Sequence, residues 1–355
     1  MSGRRNGFVL IAALWLLVAL GAVGLDVSLR SRSRRLAAAN MVDETRARGA
    51  AFAGAEYARS RLTSAMLGRA EELRADAARL SREVQLNFSQ PGRGGNVTVQ
   101  TRQQQSSMTN LFRTADPGTD PWRDPEQLVA TDTTFGEIPF SLHLRDTGAA
   151  LNINLAEEVM IRQFLAQGLG LDYARADRLT QAMMDWRDDD DLPRINGGER
   201  EEYIEAGAPV LPPNRPFSEI DEVRYVLGMT PDVFDAMRPF LTIQSAGRIN
   251  LNSAPEEVLN ALPGMTQMAA QTFARQRAAG RYPRTAAELI AMMPSGTARS
   301  IQENQTQFNR RAIYTTDEVE ITSEVVLEGS PIHSRVRAIV SRSPNGAVVV
   351  WRKVE

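Results

Sequence analysis

Cysteine is missing from all 355 residues. Disulfides, thiolate metal sites and cysteine nucleophiles are therefore excluded. An exported protein can do without disulfides, so the compartment stays open. Histidine is scarce: His143 and His333 both fall in alternating, strand-like stretches. A Ser-His-Asp site needs one of them, and neither sits in an elbow or other catalytic motif. No charge of one sign dominates, since 41 Lys+Arg oppose 43 Asp+Glu for a formal net of −2. That argues against a nucleic-acid binder relying on bulk positive potential. Lysine is nearly absent, with Lys353 standing against a background of arginine, a bias we read as genomic rather than functional. Proline does not occur between Met1 and Gln90, so nothing interrupts a helix there.

What is present begins with an apolar run, Phe8 to Leu25, that carries no charge. At about 18 residues it is just long enough to cross a hydrocarbon core. A short basic segment, Met1 to Gly7, precedes it. A secretory signal peptide is one reading, with Gly21-Ala22-Val23-Gly24 as a weak cleavage site. Helix-compatible sequence nevertheless continues without a break through Arg30, Arg32, Arg34 and Arg35 to about Val84. Leu62, Met66, Ala70, Leu73, Ala77, Leu80 and Val84 step by three and four, the period of an amphipathic helix. One long helix is expected, half in a membrane and half outside. Counting positive charges does not orient it, because arginines flank both ends of the run.

The middle of the chain changes pattern after Pro91-Gly-Arg-Gly-Gly95. Strands are expected at Asn96–Thr101 and Gly136–Leu144, with a polar loop from Gln103 to Asp132 between them. From Asn154 to about Gln307 the chain reads as short helical hairpins. Ile153-Asn-Leu-Ala-Glu-Glu-Val159 is echoed by Ile249-Asn-Leu-Asn-Ser-Ala-Pro-Glu-Glu-Val258. The Asn/Ser clusters are expected to N-cap the helices, and the Glu pairs fall in first turns where the helix dipole favours them. Breaks are expected at Gly168-Leu-Gly170, Gly228-Met-Thr-Pro231 and Leu262-Pro-Gly-Met265. Thr315 to Glu355 reads as an antiparallel meander, with Pro344-Asn-Gly346 as its hairpin signal.

One stretch looks chemical: Asp185-Trp-Arg-Asp-Asp-Asp-Asp191, then Leu192-Pro193, Asn196-Gly-Gly198, Glu199, Glu201 and Glu202. Successive aspartates at a helix C-terminus oppose the dipole and repel one another. Oxygen donors at this density suit Ca²⁺ in an irregular loop. A solvated acidic loop neutralised by Arg187, Arg194 and Arg200 accounts for the same residues equally well.

These features together resemble the K-class minor pseudopilins of type II secretion systems. Gly7 followed by Phe8-Val-Leu-Ile resembles a prepilin signal, and Ala12 stands where most pilins carry a glutamate, as in the K class. Within the hairpin region the resemblance rests on Met184-Asp-Trp-Arg-Asp188, Asn214-Arg-Pro-Phe217, Ile220-Asp-Glu-Val223, Arg238-Pro-Phe240 and Ile249-Asn-Leu-Asn252.

The resemblance implies an α+β fold. A long N-terminal pilin helix, part transmembrane, packs on an antiparallel sheet that carries a large all-α, helix-hairpin-helix-like (SAM-like) insertion. Its expected divisions are a leader at 1–7, a transmembrane segment at 8–25 and the rest of the helix at 26–90. The first part of the β domain follows at 91–150, the insertion at 151–310 and the closing strands at 311–355. It further implies cleavage after Gly7, methylation of Phe8 and a non-enzymatic role at a pseudopilus tip. The implied location is the inner membrane with the bulk in the periplasm. The implied partners are other minor pseudopilins, the prepilin peptidase and the inner-membrane secretion platform, with no nucleic acid. It adds weight to structural calcium, with Asp188, Asp190, Asp191, Glu201 and Glu202 as ligands. Small residues at Ala37 to Ala39, Ala50, Ala51, Gly54 and Ala55 are expected to face partner helices. The alternative is a membrane-anchored periplasmic DNA-uptake protein that uses its hairpins, although the Gly264-Met-Thr266 turn lacks the usual second glycine, its flank carries no charge before Arg275, and the Gly228 turn is followed by acidic residues.

Overall fold

The computed structural model describes residues 4–88, 111–112, 115–130 and 133–355. Helix α1 spans Arg4–Phe88 without interruption, about 125 Å at 1.5 Å per residue. The absence of proline and the abundance of alanine and arginine make this length possible. The helix has two regimes. From Ala13 to Val42 the described side chains are exposed, including Leu14, Trp15, Leu16, Leu17 and Leu20. From Ala47 onward one stripe is buried: Ala47, Ala50, Ala51, Ala55, Ala58, Leu62, Met66 and Ala70.

That stripe packs on a five-stranded antiparallel sheet. Its strands are β1 (Thr133–Phe135), β2 (Ile138–Asp146), β7 (Glu318–Val326), β8 (His333–Ser343) and β9 (Gly346–Val354), hydrogen-bonded in that order. Residues alternate across each strand, so Phe140, Leu142 and Leu144 share the inner face with Val319, Ile321, Val336 and Val340. Alanine and glycine on α1 allow the close approach. A Cβ at Gly54 would lie 2.3 Å from Ser323 Oγ and 2.8 Å from the Phe140 ring. Small residues at 50, 51, 54 and 55 therefore serve the chain's own sheet rather than a partner, which corrects the expectation for them. Ala37 to Ala39 remain exposed.

The β8–β9 turn closes against the same helix. Gly346 has φ +128° and a Cβ there would meet Thr63 Cγ2 at 2.6 Å, while Ala347 N donates to Thr63 Oγ1 at 3.0 Å. The polar segment before β1 is not a free loop where it is described. Trp122 is fully buried and donates from Nε1 to the Leu62 carbonyl at 2.9 Å. Arg342 stacks between Phe112 and Trp122 and pairs with Asp120 at 2.6 Å. The strand expected at residues 96–101 lies outside the described residues. The other strands fall within two residues of expectation, and both histidines are strand residues.

The regular elements between β2 and β7 are helices apart from two-residue strands, although β2 and β7 pair directly, with Leu144 opposite Ile321. The helical region is thus an insertion between neighbouring strands. It comprises α2 (Glu158–Gln163), α3 (Tyr173–Arg187), α4 (Arg200–Glu205), α5 (Pro231–Met237) and α6 (Glu256–Leu259). These are followed by α7 (Gln267–Ala278), α8 (Ala286–Ala291), α9 (Ser295–Glu303) and α10 (Gln305–Arg311). One continuous apolar core runs through it, from Leu151 to Ala312.

The internal repeat is real but shifted from the expected register. β3 (Leu151–Asn152) pairs parallel with β4 (Leu241–Thr242), and β5 (Ile249–Asn250) pairs parallel with β6 (Ala312–Ile313). Asn152 Oδ1 accepts from Asn154 N, and Asn250 Oδ1 accepts from Asn252 N. The two asparagines therefore close tight turns ahead of the helices instead of N-capping them. Leu151, not Ile153, corresponds to Ile249. Asp146 ties the second unit to the sheet: its Oδ2 accepts from Asn250 at 2.6 Å, Ser253 at 2.5 Å and Thr316 at 2.9 Å.

Candidate functional site

The acidic loop begins where α3 ends, and that end is fixed by its last residue. The Arg187 guanidinium donates to the carbonyls of Ile153 and Ala156, the latter at 2.6 Å. Burial, then the nearby Arg194 charge, lowers its pKa to about 10 against a smaller pull from Asp188, so it stays charged at neutral pH. Trp186 stacks on Phe217 with centroids 5.9 Å apart and planes at 6°. The second repeat uses the same lock: Arg277 donates to Leu251 O at 2.8 Å and Ala254 O at 2.6 Å. There the chain continues as Ala278-Ala-Gly280, and Gly280 turns at φ +79°. The fold thus ends this helix without any aspartate, so the four at 188–191 are an addition to the hairpin and not a requirement of it.

Asp185 organises the loop from beneath. It is fully buried, and its Oδ2 accepts from Gly198 N at 2.8 Å and Arg194 N at 3.1 Å. A Cβ on Gly197 would lie 1.9 Å from that oxygen, which is why the chain is glycine at that point. The return of the chain through Gly197 and Gly198 brings Glu199 over the aspartates. Among the described residues, Asp188, Asp190 and Glu199 form a group whose carboxylate oxygens lie within 4.8 Å of one another.

The electrostatics of this group are unbalanced. Arg194 Nη1 bridges Asp185 Oδ1 at 2.5 Å and Asp188 Oδ2 at 2.6 Å. Asp188 Oδ1 and both Glu199 oxygens are buried with no hydrogen-bond partner. Glu199 is only 3% exposed. Burial, followed by the charges of Asp185, Asp188, Asp191 and Asp190, pushes its pKa up to about 7. Unpartnered buried carboxylate oxygens are costly, and a hard cation offsets that cost.

Of the five ligands expected from sequence, Asp188 and Asp190 meet. Asp191 Oδ1 instead accepts from Asn214 Nδ2 at 2.8 Å, a residue held at φ +49° whose own Oδ1 is buried and unpartnered. Glu202 turns back to accept from Glu199 N at 2.8 Å, in the first turn of α4. Glu201 is exposed beside it. Neither Glu201 nor Glu202 joins the group. Glu199 lies with Asp188 and Asp190 instead, because the helix carries positions 201 and 202 away while the residue before it faces the loop. The signal available in the sequence was Asn196-Gly-Gly198, which bends the chain back directly before Glu199.

Residues 146–246 match the family model of protein K of the type II secretion system. This segment is therefore similar to the type II secretion system protein K family. The type II secretion system protein K of Pectobacterium carotovorum subsp. carotovorum is 33% identical over 122 residues, 32% of this chain and 37% of that protein. That of Klebsiella pneumoniae is 32% identical over 88 residues, 25% of this chain and 27% of that protein. The matches thus span well under two thirds of these relatives. A chain of the crystal structure of the GspK-GspI-GspJ complex from enterotoxigenic Escherichia coli superposes with a TM-score of 0.52 at 18% identity. It covers 66% of this chain and 85% of its own length, which establishes a shared fold. The matched segment contains the whole acidic group and the first repeat.

The turn at residues 261–265, which a DNA-binding module would present to phosphate, is covered, whereas Gly170 and Gly228 are exposed. Residues Ala261 to Met265 are buried, and a Cβ on Gly264 would meet Ser300 O at 2.5 Å. In the matched segment, Gly168 is packed so that a Cβ would meet Glu257 O at 2.5 Å. Gly168 and Gly264 are thus spent on packing against later helices.

Proposed function

We propose that this chain is a minor pseudopilin of a type II secretion system, cut after Gly7, methylated on Phe8 and anchored in the inner membrane by residues 8–25. Its bulk lies in the periplasm. It joins other minor pseudopilins in the pseudopilus tip, and the secretion platform of the inner membrane supports its assembly. The observation that carries the reading is α1. One helix runs from an apolar, exposed segment with a mean hydropathy of 1.7 directly into a groove on its own sheet. That design links a bilayer to a folded head without a hinge. The helical insertion, which includes most of the segment similar to the protein K family, sits on that head as a bulky cap. The relatives described above are type II secretion system proteins K, and the related crystal structure is described as a complex of GspK with GspI and GspJ. In this reading the role is structural, carried by the long helix and its packing on the sheet.

We further propose that Asp188, Asp190 and Glu199 hold a structural Ca²⁺ that ties the end of α3 to the start of α4. The support is that the repeat without these acids ends its helix equally well, and that three carboxylate oxygens here have no other partner.

The experiment is the mature N-terminus, measured by mass spectrometry in cells with and without a prepilin peptidase. The expected result is a chain starting at methylated Phe8 only when the peptidase is present. An intact chain, or one cut near Gly24, overturns the pseudopilin reading.

A further inference from the structure

Arg30, Arg32, Arg34 and Arg35 lie immediately beyond the apolar run, and the secretion reading makes no use of them. All four are exposed on α1. Asp26 is the only acid between residues 13 and 42, so that stretch carries four arginines against one aspartate, a net of +3. Asp26 pairs with Arg30 at 2.9 Å. Among the described residues no carboxylate pairs with Arg32, Arg34 or Arg35.

Their position along the helix identifies what they face. The run from Phe8 to Leu25 is about 27 Å long at 1.5 Å per residue, close to the roughly 30 Å of a hydrocarbon core. Residues 30 to 35 then start about 7 Å and end about 15 Å past its edge, at and just beyond a headgroup layer of roughly 5–8 Å. Side chains on a helix tilt toward its N-terminus, which here is the membrane. The long stems let each guanidinium reach back further. Arg30, Arg34 and Arg35 share one face with Ser31 and Ala38, and together these five line a shallow open cleft. The two small residues leave room between the guanidiniums for a phosphate, and the guanidinium fork matches phosphate oxygens.

We propose that this arginine collar binds the phosphates of anionic phospholipids on the far face of the membrane and so fixes the depth of α1. The proposal rests on the apolar run lying in a bilayer, and not on the secretion role.

The test uses the full chain in mixed vesicles carrying spin-labelled phosphatidylglycerol or phosphatidylcholine, and reads lipid association by electron paramagnetic resonance. The native chain is expected to favour phosphatidylglycerol several-fold, with the preference screened away by salt. Replacing all four arginines with glutamine is expected to bring the two lipids to parity. Replacing all four with lysine keeps the charge and is expected to keep the preference; circular dichroism shows whether each variant is equally helical. Equal association of both lipids with the native chain, or a preference that survives in the glutamine variant, overturns the proposal. So does a native chain without lipid preference whose glutamine variant no longer co-purifies with its membrane partners, which would assign the collar to a protein. A chain that alkaline carbonate washes off the vesicles fails at the earlier step, the membrane span itself.

Discussion

At the scale of single residues, two arginines and one glutamate account for most of what the hairpins do. Arg187 and Arg277 each satisfy two carbonyls that would otherwise be stranded in a packed turn. Replacing either with methionine keeps the stem and removes the donors. Leaving buried acceptors unsatisfied costs about 1–3 kcal/mol each, so each variant is expected to lose about 2 kcal/mol or more in chemical denaturation. The two losses add, because the arginines serve separate repeats. Glu199 has a different role. Glu199→Gln and Asp188→Asn are expected to weaken calcium binding by at least about tenfold in titration calorimetry, as even losses of outer-shell support do. Glu201→Gln, exposed and outside the group, leaves affinity unchanged. Equal effects at Glu199 and Glu201 would rule out the assigned group.

The behaviour of α1 belongs to the scale of elements. Its lower half depends on a surface of small residues, and two glycines show where that matters. Gly54 faces Ser323 and Phe140 at contact distances no side chain can share, whereas a Cβ on Gly49 meets nothing. Gly54→Val is therefore expected to lift α1 from the sheet and lower the melting temperature sharply, while Gly49→Ala is tolerated or gains about 0.5–1 kcal/mol from helix propensity. Thermal melts of the two variants side by side give the comparison. A similar logic governs the repeat. Its register could be misread by two residues because Ile-Asn-Leu and Leu-Asn-Ile share a pattern. Only the pairing of β3 with β4 and of β5 with β6 distinguishes them.

On the scale of the whole molecule, the insertion is joined to the sheet through a buried carboxyl. Burial raises the pKa of Asp146 above the ordinary aspartate range, against the pull of hydrogen bonds from Ser253, Asn250, Gly148 and Thr316. The unfolded chain therefore releases this proton at lower pH than the folded one. Its contribution to stability is greatest below the ordinary aspartate value of about 4 and falls as pH rises through the interval up to the folded value. Glu320 has the opposite sign: burial opposes ionisation there, but Arg145 and Arg337 hold its pKa below the usual value. It adds stability above the ordinary glutamate range that is lost in acid. The difference between the native chain and Asp146→Asn isolates the first effect. Denaturation across pH 3 to 7, spanning the ordinary carboxylate range, is expected to show a descending component that the variant lacks.

The sequence by itself determined the elements whose cause is local. An unbroken proline-free stretch made α1, the apolar run set its exposed end, and alternation with Pro344-Asn-Gly346 made the closing meander. The hairpins were legible from their glycines, and the acidic loop from its density of aspartate. The tertiary structure decided what depends on residues far apart in the chain. It paired β2 with β7 across the insertion, turned Ala50, Ala51, Gly54 and Ala55 inward, and buried the turn at residues 261–265 under a later helix. It also brought Glu199, and not Glu201 or Glu202, beside Asp188 and Asp190. The reason is the same in each case. Local propensity fixes a side chain's place on its own helix or strand, but the face that is buried, and the charges that meet, are set by whichever distant segment packs against it.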